Sequence, residues 1–358
     1  MAAAVAAAAA VDDVVTTCAP AVRIVVTNLE FWQTYVAKSN YEIVTQLRDT
    51  HGWRVEPATR LAAILDETPR ATLLFIPDAQ GKHTRAEMLS AHERIRRHEG
   101  PRGVVIDDWH YWRTENEAMM TMCGTVLATV PEHVIANYPR VAKQCRIVDF
   151  PHCAASAFAS VPFNASPEPR VLLASAPYRF FYPVRSMMID ACKRHGLPGV
   201  QHRHPGYERV DGEDACGAGY ARRIGQYLCA TTCGSRFEML VRKHFEIPAT
   251  GALLIAHSGT RARLRRYDIV PGDHYLSFTN ELEFVECVRF ALDRRNRDAV
   301  DRMRTRCREA VCAAHLAVHR AQQVHSLFLR EADESDAAAR GGDSSSSSSS
   351  SSAAATDV

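Results

Sequence analysis

The sequence predicts an α/β protein of two domains, each built on a doubly wound parallel sheet, that face each other across a cleft. The chain has 358 residues, which is long for a single hydrophobic core and favours two domains. Buried-strand patterns alternate with helical patterns in both halves, as is typical of parallel sheets. Residues 151–168, rich in Ala, Ser and Pro, separate the halves and are interpreted as the linker. A cleft between two such domains is a preferred place for small-molecule sites.

We place the two domains at residues 21–155 and 156–330, with chain ends that are expected to be disordered. Residues 1–20 form an alanine-rich leader, which lacks the basic start and the leucine-type core of a secretory signal. Residues 331–358 form a serine-rich tail. Its nine consecutive serines, 344–352, bury too little apolar surface to fold.

Composition limits the function classes. The formal net charge of +2 predicts no particular attraction to nucleic acid or to a membrane surface. No apolar run approaches the roughly 20 residues of a membrane-spanning helix. The 11 cysteines are an odd number spread through core segments, which favours free thiols in a reducing compartment over a disulfide framework. We therefore expect a cytoplasmic protein with no nucleic-acid partner and no membrane span.

The first half contains five stretches with the apolar, β-branched composition of buried strands. They are residues 22–27, 71–77, 103–108, 125–130 and 146–150. Two helices are predicted between them. The first covers residues 40–51, with Ser39 as its cap, and the second is the charged stretch 85–99.

Acidic residues follow the third strand of this half. Asp107, Asp108 and His110 stand at or just past its carboxyl end, where ligands gather in open α/β sheets. They are therefore candidates for a general base. Helix capping explains Asp108 equally well.

The second half repeats the alternating pattern. Strands are predicted at residues 170–176, 227–232, 252–256 and 274–279. Helices are predicted at residues 182–195, with Pro183 in the first turn, at 235–244 and 281–292, and as one long final helix with an apolar face from Val300 to Val318. A turn is predicted at His204-Pro205-Gly206-Tyr207. The basic segment, residues 261–266 with four arginines, is expected to be a solvated loop.

Residues 238–258 form a predicted helix, tight loop and buried strand. Glu238 and Glu246 are separated by seven residues, and Lys243 lies three residues before Glu246. Gly251 permits a positive φ or a close approach of the backbone to a ligand. Acidic groups and a glycine loop beside a buried strand of an open sheet predict a binding site.

Short motifs of the second half carry a family resemblance. They are Tyr182-Pro183-x-Arg185, His204-Pro205-Gly206-Tyr207, Lys243-x-Phe245-Glu246-Ile247-Pro248-Ala249-Thr250-Gly251, Pro271-Gly272-x-His274-Tyr275 and His315-x-x-x-His319-Arg320. In this order and spacing they resemble glycosyltransferases of the GT-B class, which have two Rossmann-like domains facing a cleft. The resemblance is closest to the CgeB-like, glycosyl transferase family 1-like group. It spans about residues 180–320, whereas the first half matches in its strand pattern and in Asp107-Asp108-x-His110.

The resemblance implies that the two domains bind different substrates. The second domain is expected to bind a nucleotide-diphosphate sugar, and the first domain a glycan or another acceptor with a hydroxyl group. Related enzymes have a Glu-x7-Glu pair at the donor site. By that likeness, Glu246 would accept hydrogen bonds from the ribose hydroxyls, and Glu238 would face the transferred sugar.

The resemblance also implies which groups contact the diphosphate. Lys243 and Arg185 can add charge-assisted hydrogen bonds to phosphate oxygens. Thr250 and Gly251 belong to the glycine loop at the donor site. A binding role is also assigned to the turn with His204 and Tyr207. Residues 174–177 lack the glycine expected after the first strand of this half, which weakens the prediction that their backbone approaches a phosphate.

No metal and no cofactor other than the donor is expected. GT-B enzymes transfer sugars without a required metal, and the chain contains no Asp-x-Asp, the metal–diphosphate clamp of the other large glycosyltransferase class. An inverting enzyme needs a base near the acceptor hydroxyl, for which Asp107, Asp108 and His110 are candidates. A retaining enzyme needs none, and the Glu-x7-Glu pair slightly favours retention.

Other interpretations stay open at this point. A non-catalytic relative would keep the fold as a nucleotide- or glycan-binding surface, and a test for nucleotide-sugar hydrolysis separates it from an enzyme. An oxidoreductase is disfavoured, because residues 27–30 after the first strand contain no glycine. His315 and His319 have a spacing found in metal sites, but the sequence shows no nearby third ligand. Aromatic side chains within 109–112 can stack on a sugar ring, although core packing is the simpler interpretation.

Overall fold

The computed structural model of the chain describes residues 22–342, except 79–82, 175–177, 203 and 206–215. The predictions for the leader, for the serine-rich stretch and for Gly206 and Tyr207 therefore lie outside the described residues.

Six described strands of the first half form one parallel sheet. They are β1 (Arg23–Thr27), β2 (Arg54–Glu56), β3 (Thr72–Ile76), β4 (Arg102–Ile106), β5 (Thr125–Ala128) and β6 (Arg146–Asp149). Their order is β2-β1-β3-β4-β5-β6, and every neighbouring pair is parallel. The five predicted strands are all present. The sequence prediction lacks β2, because three residues are too few for a strand pattern.

The helices of the first half are α1 (Leu29–Thr34), α2 (Lys38–Asp49), α3 (Leu61–Glu67), α4 (Thr84–Ser90), α5 (His92–Arg97), α6 (Arg113–Cys123), α7 (Pro131–Asn137) and α8 (Pro139–Gln144). The predicted cap of α2 is wrong: its N-cap is Ala37, and Ser39 lies within the helix. The hydroxyl of Ser39 instead accepts a hydrogen bond from Arg242. The predicted helix 85–99 is two helices that break at Ala91.

Five described strands of the second half form a second parallel sheet. They are β7 (Glu168–Leu173), β8 (Gly199–Gln201), β9 (Tyr227–Thr232), β10 (Leu253–His257) and β11 (Leu276–Phe278), in the order β11-β10-β9-β7-β8. The helices that follow the linker are α9 (Ser156–Ala159), α10 (Pro183–Arg194), α11 (Gly217–Gln226), α12 (Lys243–Ala249), α13 (Arg261–Arg265), α14 (Glu281–Leu292), α15 (Arg297–Ala314) and α16 (Ala317–Gly342). The sequence prediction lacks the short β8 and also α11, whose three glycines weaken the helical pattern.

Both faces of each sheet are buried. Along β1, Ile24 and Val26 belong to one apolar cluster and Val25 to another, because alternate side chains point to opposite faces. The same alternation separates Leu172 from Leu173 in β7. The strand order reverses between β1 and β3 in the first sheet and between β7 and β9 in the second. Such reversal points leave a crevice at the carboxyl ends of the strands.

The chain crosses between the domains at two adjacent points. The first crossing contains Ala154, and the second lies between α15 and α16, where the predicted single final helix is broken. The N–H of Ala154 donates to the carbonyl of His315 at 3.0 Å, and the N–H of Ala317 donates to the carbonyl of Ala154 at 2.9 Å. These bonds join the two crossings side by side.

Helix α16 returns to the first domain, so the assignment of residues up to 330 to the second domain is wrong for this helix. It packs against α2, and its Phe328 is fully buried beside Trp53, with ring centroids 5.9 Å apart. The predicted start of a disordered tail at residue 331 is also wrong. The helix continues to Gly342, and Glu331 forms an ion pair with Arg146 at 3.2 Å.

The basic segment is a short helix, α13, and joins the domains instead of forming a solvated loop. Arg263 pairs with Glu132 at 2.6 Å, and Arg266 pairs with Glu132 at 3.2 Å and with Asp149 at 2.7 Å. The hydroxyl of Tyr267 donates to Asp149 at 2.9 Å. These contacts hold the first sheet against the second on one side of the interface.

Two further predictions concern the thiols and membrane spans. The ten cysteines in the described part of the chain are free thiols, seven of them buried. Among the helices that the structure describes, none is both long and apolar enough to cross a membrane.

The return of α16 predicts that Phe328 stabilises the first domain. The Phe328→Ala variant should lose about 3–5 kcal/mol of unfolding free energy, because it leaves a cavity between Trp53 and β4. A Cβ at Gly103 would lie only 2.5 Å from the Phe328 ring, so the ring packs directly on this strand. Urea denaturation followed by tryptophan fluorescence measures the effect.

The neighbouring Leu329 is the control for this prediction, because it is 38% exposed on the same helix. Leu329→Ala should change stability by no more than about 0.5 kcal/mol. Equal losses in the two variants would contradict the packing of α16 on the first domain.

Candidate functional site

A cleft of about 520 Å³ opens between the carboxyl edges of the two sheets. The segments after β1, β4 and β6 form its first-domain wall, and those after β7, β8 and β9 form its second-domain wall. Seven predicted site residues line it: Asp107, Asp108, His110, Arg185, His204, Lys243 and Glu246. The other four do not belong to the described lining: Glu238, Thr250, Gly251 and Tyr207, the last of which lies outside the described residues.

Arg185 lies in the first turn of α10, after β7. Pro183 occupies the start of this helix, where its missing N–H costs nothing. Arg185 is 6% exposed, and its guanidinium lies over the ring of Tyr182, with Cζ 3.3 Å from the centroid. This cation–π contact explains why the tyrosine of the Tyr-Pro-x-Arg motif accompanies the arginine.

Lys243 and Glu246 lie in the first turn of α12, after β9. Burial lowers the pKa of Lys243 to about 8, although the Glu246 carboxylate favours the charged ammonium. Burial raises the pKa of Glu246, while Lys243 and Arg242 lower it. With Arg185 nearby, this wall carries more cations than carboxylates, and its charge therefore suits an anionic ligand.

His204 follows β8 and also lines the second-domain wall. Burial lowers its pKa to about 4, and the nearby Lys243 and Arg185 lower it further in the same direction. The ring is therefore neutral near pH 7, so it can donate a hydrogen bond from one nitrogen and accept one at the other.

Asp107 on the opposite wall is held by one arginine and one histidine. Its carboxylate pairs with Arg242 at 3.0 Å and with His152 Nε2 at 3.1 Å. Burial opposes ionisation of Asp107, but His152 and Arg242 outweigh it and lower the pKa. Arg242 also donates to Ser39 at 3.2 Å and to Asn40 at 3.4 Å. These bonds join the start of α12 to the first domain.

Asp108 has the opposite protonation behaviour from its neighbour. Burial and the Asp107 carboxylate raise its pKa to about 7, against the lowering effect of Arg242 and Arg85. A carboxyl group with this pKa takes up and releases a proton near neutral pH, which is the property of a general base. The predicted alternative, helix capping by Asp108, does not occur, because α6 begins at Arg113 with Trp112 as its N-cap.

His110 lies in a cluster of aromatic rings at the cleft. Its ring centroid is 4.3 Å from that of Tyr111 and 4.7 Å from that of Phe237. Burial lowers the pKa of His110, and its Nδ1 is buried without a hydrogen-bond partner among the described residues. The structure thus places His110 in the cleft as a neutral, packed ring.

The structure does not place Glu238 in the described lining of the cleft, and its contact with the transferred sugar stays a prediction. Residues 235–242 are irregular rather than helical, and Glu238 is exposed at a positive φ of 54°. Its side chain covers Gly259, where a Cβ would lie 2.7 Å from Oε1. The physical reason is that this segment reaches across to the first domain, where Met239 is buried in the core.

Thr250 and Gly251 lie at the amino edge of the second sheet, far from the diphosphate contact predicted for them. Because β9 and β10 are parallel, α12 must run from the carboxyl edge back to the amino edge. Gly251 has the predicted positive φ, 83°, but its carbonyl accepts a hydrogen bond from Arg304 at 2.7 Å. The hydroxyl of Thr250 donates to Ile247. Both residues therefore belong to the end of the helix, on the side of the sheet opposite the cleft.

Sequence reasoning missed Arg242 and His152. His152 follows the carboxyl end of β6, so the rule that selected Asp107 could have found it. Arg242 directly precedes Lys243, but its partners lie 135 and 203 positions away in the chain. No local pattern identifies such a contact.

Comparisons with known proteins agree with this arrangement. Residues 185–326 match a sequence family described as glycosyl transferase-like. This segment contains Arg185, His204, Lys243 and Glu246. No curated protein matches the chain in sequence.

Solved structures show the same fold over most of the chain. Sucrose-phosphate synthase from Thermosynechococcus elongatus is similar with a TM-score of 0.59 and 11% identity, over 86% of this chain and 98% of that one. A glycosyltransferase from Rickettsia africae has a TM-score of 0.56 and 10% identity, over 87% and 99%. Anabaena HepE in complex with UDP and glucose has a TM-score of 0.56 and 9% identity, over 85% and 98%. The predicted GT-B fold, two Rossmann-like domains facing a cleft, is confirmed.

Replacing Asp108 or its neighbour Asp107 with asparagine should change the unfolding temperature in opposite directions. Because the pKa of Asp108 is raised in the folded protein, its protonated form stabilises the fold at pH values below the ordinary carboxyl pKa. This stabilisation is lost as pH rises through about 7. Asp108→Asn should therefore raise the unfolding temperature at about pH 8, with a difference that disappears near pH 4. Thermal unfolding across pH measures it.

Asp107→Asn is the matched control, because the lowered pKa of Asp107 contributes stability above its ordinary range. This variant leaves Arg242 without its carboxylate partner and should unfold at a lower temperature at neutral pH. An Asp108→Asn variant that is less stable than the wild type at every pH would contradict the assigned protonation.

Proposed function

We propose that this chain is a glycosyltransferase that moves a sugar from a nucleotide-diphosphate donor to a hydroxyl group of an acceptor. One arrangement supports the proposal most strongly: Glu246, Lys243 and Arg185 lie across the cleft from Asp108. The three second-domain residues lie within the segment that matches the glycosyl transferase-like family. The UDP in the Anabaena HepE complex makes a uridine nucleotide the first donor to test.

The donor is proposed to bind on the second-domain wall. Glu246 accepts hydrogen bonds from the ribose hydroxyls, since a buried carboxylate is a strong acceptor. Arg185 and Lys243 contact the diphosphate, and His204 donates a further hydrogen bond to it. Negative charge develops on the diphosphate as it leaves, so these fixed cations stabilise the transition state more than the ground state. Their charge takes the place of a metal in this proposal.

The acceptor is proposed to bind against the first domain, with its hydroxyl group at Asp108. Glycosyl transfer passes through an oxocarbenium-like state, and the carboxylate of Asp108 removes the hydroxyl proton as the new bond forms. The position of Glu238 outside the cleft removes the reason for favouring retention. We therefore propose inversion at the anomeric carbon.

Within the GT-B class we place the chain in the CgeB-like group, on the order and spacing of its second-half motifs, with hexosyl or pentosyl transfer as the reaction. A cytoplasmic location and the absence of a nucleic-acid partner complete the proposal. They are supported by the free thiols and by the low net charge of +2.

The donor site predicts different effects for the two glutamates of the Glu-x7-Glu pair. Glu246→Gln should weaken UDP binding about ten- to hundredfold, the cost of losing hydrogen bonds to a charged acceptor. Glu238→Gln should leave it unchanged, because that side chain is exposed outside the cleft. Isothermal titration calorimetry measures both affinities, and circular dichroism verifies folding. Loss of binding in the Glu238 variant alone would place the donor elsewhere.

The assignment of Asp108 as the general base predicts a second effect, on the rate of sugar transfer. Asp108→Asn should lower the transfer rate about 10²–10⁴-fold and leave UDP affinity unchanged. In the wild type, kcat/KM should rise with pH through about 7, because the ionised carboxylate is the active form. Transfer from UDP-sugars is measured with EDTA present, since the proposal contains no metal. Product NMR gives the anomeric configuration.

Asp66→Asn serves as the control for turnover, because Asp66 pairs with Arg94 on the surface. Its rate should equal that of the wild type. Full activity of the Asp108 variant, or a retained configuration in the product, would exclude Asp108 as the base.

A further inference from the structure

Exposed aromatic rings lie at and beside the cleft. The aromatic rim is defined as Tyr111, Trp112, Tyr178 and Phe180, which are 41%, 40%, 52% and 71% exposed. These are four of the eleven large hydrophobic side chains that are exposed in the described part of the chain. Clusters of exposed apolar side chains mark binding sites.

The rim spans both domains. Tyr111 lies 5.5 Å from Trp112 and 5.8 Å from Phe181 of the second domain, between ring centroids. Phe181 in turn lies 5.2 Å from Phe180 in an edge-to-face contact. Tyr111 and Tyr178 also line the cleft itself, so the rim is continuous with the site of Asp108.

Two arginines fix the planes of the outer rings. Arg85 is 8% exposed, and its guanidinium lies 4.2 Å from the ring centroid of Trp112. Arg236 lies 4.7 Å from the ring centroid of Phe180. A cation over the face of an aromatic ring is attracted to it and so favours one orientation of the ring. Preorganised rings lose little conformational entropy when a ligand binds.

The backbone conformation of Trp112 indicates that the position of its ring is energetically unfavourable. Trp112 adopts a left-handed conformation with φ 45° and ψ 52°, which is unfavourable for a bulky residue. Such conformations persist where the surrounding structure holds them, and they cluster at ligand sites. The unfavourable backbone conformation of Trp112 therefore holds an aromatic ring that is exposed to solvent and not buried in the core.

We infer that the aromatic rim is the acceptor-binding surface and that its ligand is an oligosaccharide whose sugar rings stack on these side chains. This inference rests on the proposed function, because it names the class of the acceptor. A pyranose ring has a face of C–H groups that packs on an aromatic ring, and hydroxyl groups at its edge that bond with polar neighbours. A glycan lying on the rim places its terminal hydroxyl group at Asp108.

Two other macromolecular ligands fit the rim less well. Nucleic acid requires cations that face the phosphates, whereas Arg85 and Arg236 lie on ring faces and the net charge is only +2. A bilayer requires a continuous apolar face, whereas these rings lie on both sides of a cleft mouth.

A glycan array tests the inference with the full-length protein and UDP present. The wild type should bind one or more immobilised oligosaccharides. Trp112→Ala and Phe180→Ala should weaken this binding at least about tenfold, as expected for loss of a central aromatic contact. Phe180→Tyr should retain it, because the ring stays. Leu282→Ala is the matched control, since Leu282 is an exposed apolar side chain on α14 and 67% accessible.

UDP affinity separates this inference from the proposed function. Rim variants that lose glycan binding but keep UDP affinity support the inference. It is overturned if UDP binds normally and no glycan binds, or if the rim variants bind glycans as the wild type does. It is also overturned if the rim binds a thymidine oligonucleotide or phosphatidylglycerol vesicles instead. A protein that binds glycans through the rim but no nucleotide would contradict the proposed function alone.

Discussion

The ion pair between Arg242 and Asp107 is the contact on which the geometry of the cleft depends. It joins the residue that precedes α12 to the carboxyl end of β4, and so it fixes the donor wall relative to the acceptor wall. The two side chains are 19% and 32% exposed, so solvent screening moderates the energy of the pair. The orientation of the pair is nevertheless fixed by further contacts. His152 contacts the other carboxylate oxygen of Asp107, and the Nε of Arg242 donates a hydrogen bond to Ser39.

The same ion pair separates the ionisation of two adjacent carboxyl groups. Asp107 stays charged because its partners compensate for burial, and that fixed charge then raises the pKa of its neighbour Asp108. Two identical side chains thus differ in protonation because of their surroundings, as in many acid–base enzymes. On the opposite wall, Arg185 and Lys243 exceed the charge of Glu246. A dianionic ligand and a hydroxyl group would therefore be attracted to opposite sides of one cleft.

Local patterns predicted the sheets well and the contacts between domains poorly. Nine of the eleven described strands have a predicted counterpart, because continuous β-branched runs are characteristic of strands buried on both faces. Asp108 was identified because ligands gather at the carboxyl ends of parallel strands, and Glu246 and Lys243 were identified from their motif and its family resemblance. The helix predicted over residues 235–244 is wrong because that segment crosses to the other domain, and Gly251 lies away from the cleft because α12 ends at the opposite edge of the sheet. Those errors concern long-range packing, which periodicity does not encode.

The return of α16 to the first domain has a consequence for the order of assembly during synthesis. Ala317, Ala321, Val324 and Phe328 complete a core that begins with Val25 and Trp32, so the first domain to leave the ribosome lacks one wall of its interior. About 160 residues separate the two crossings at Ala154 and Leu316, and closing loops of this length slows the formation of contacts. The nascent first domain therefore exposes Trp53 and its neighbours until the last helix is translated. A chaperone that shields this surface would act on the chain before the second domain has finished folding.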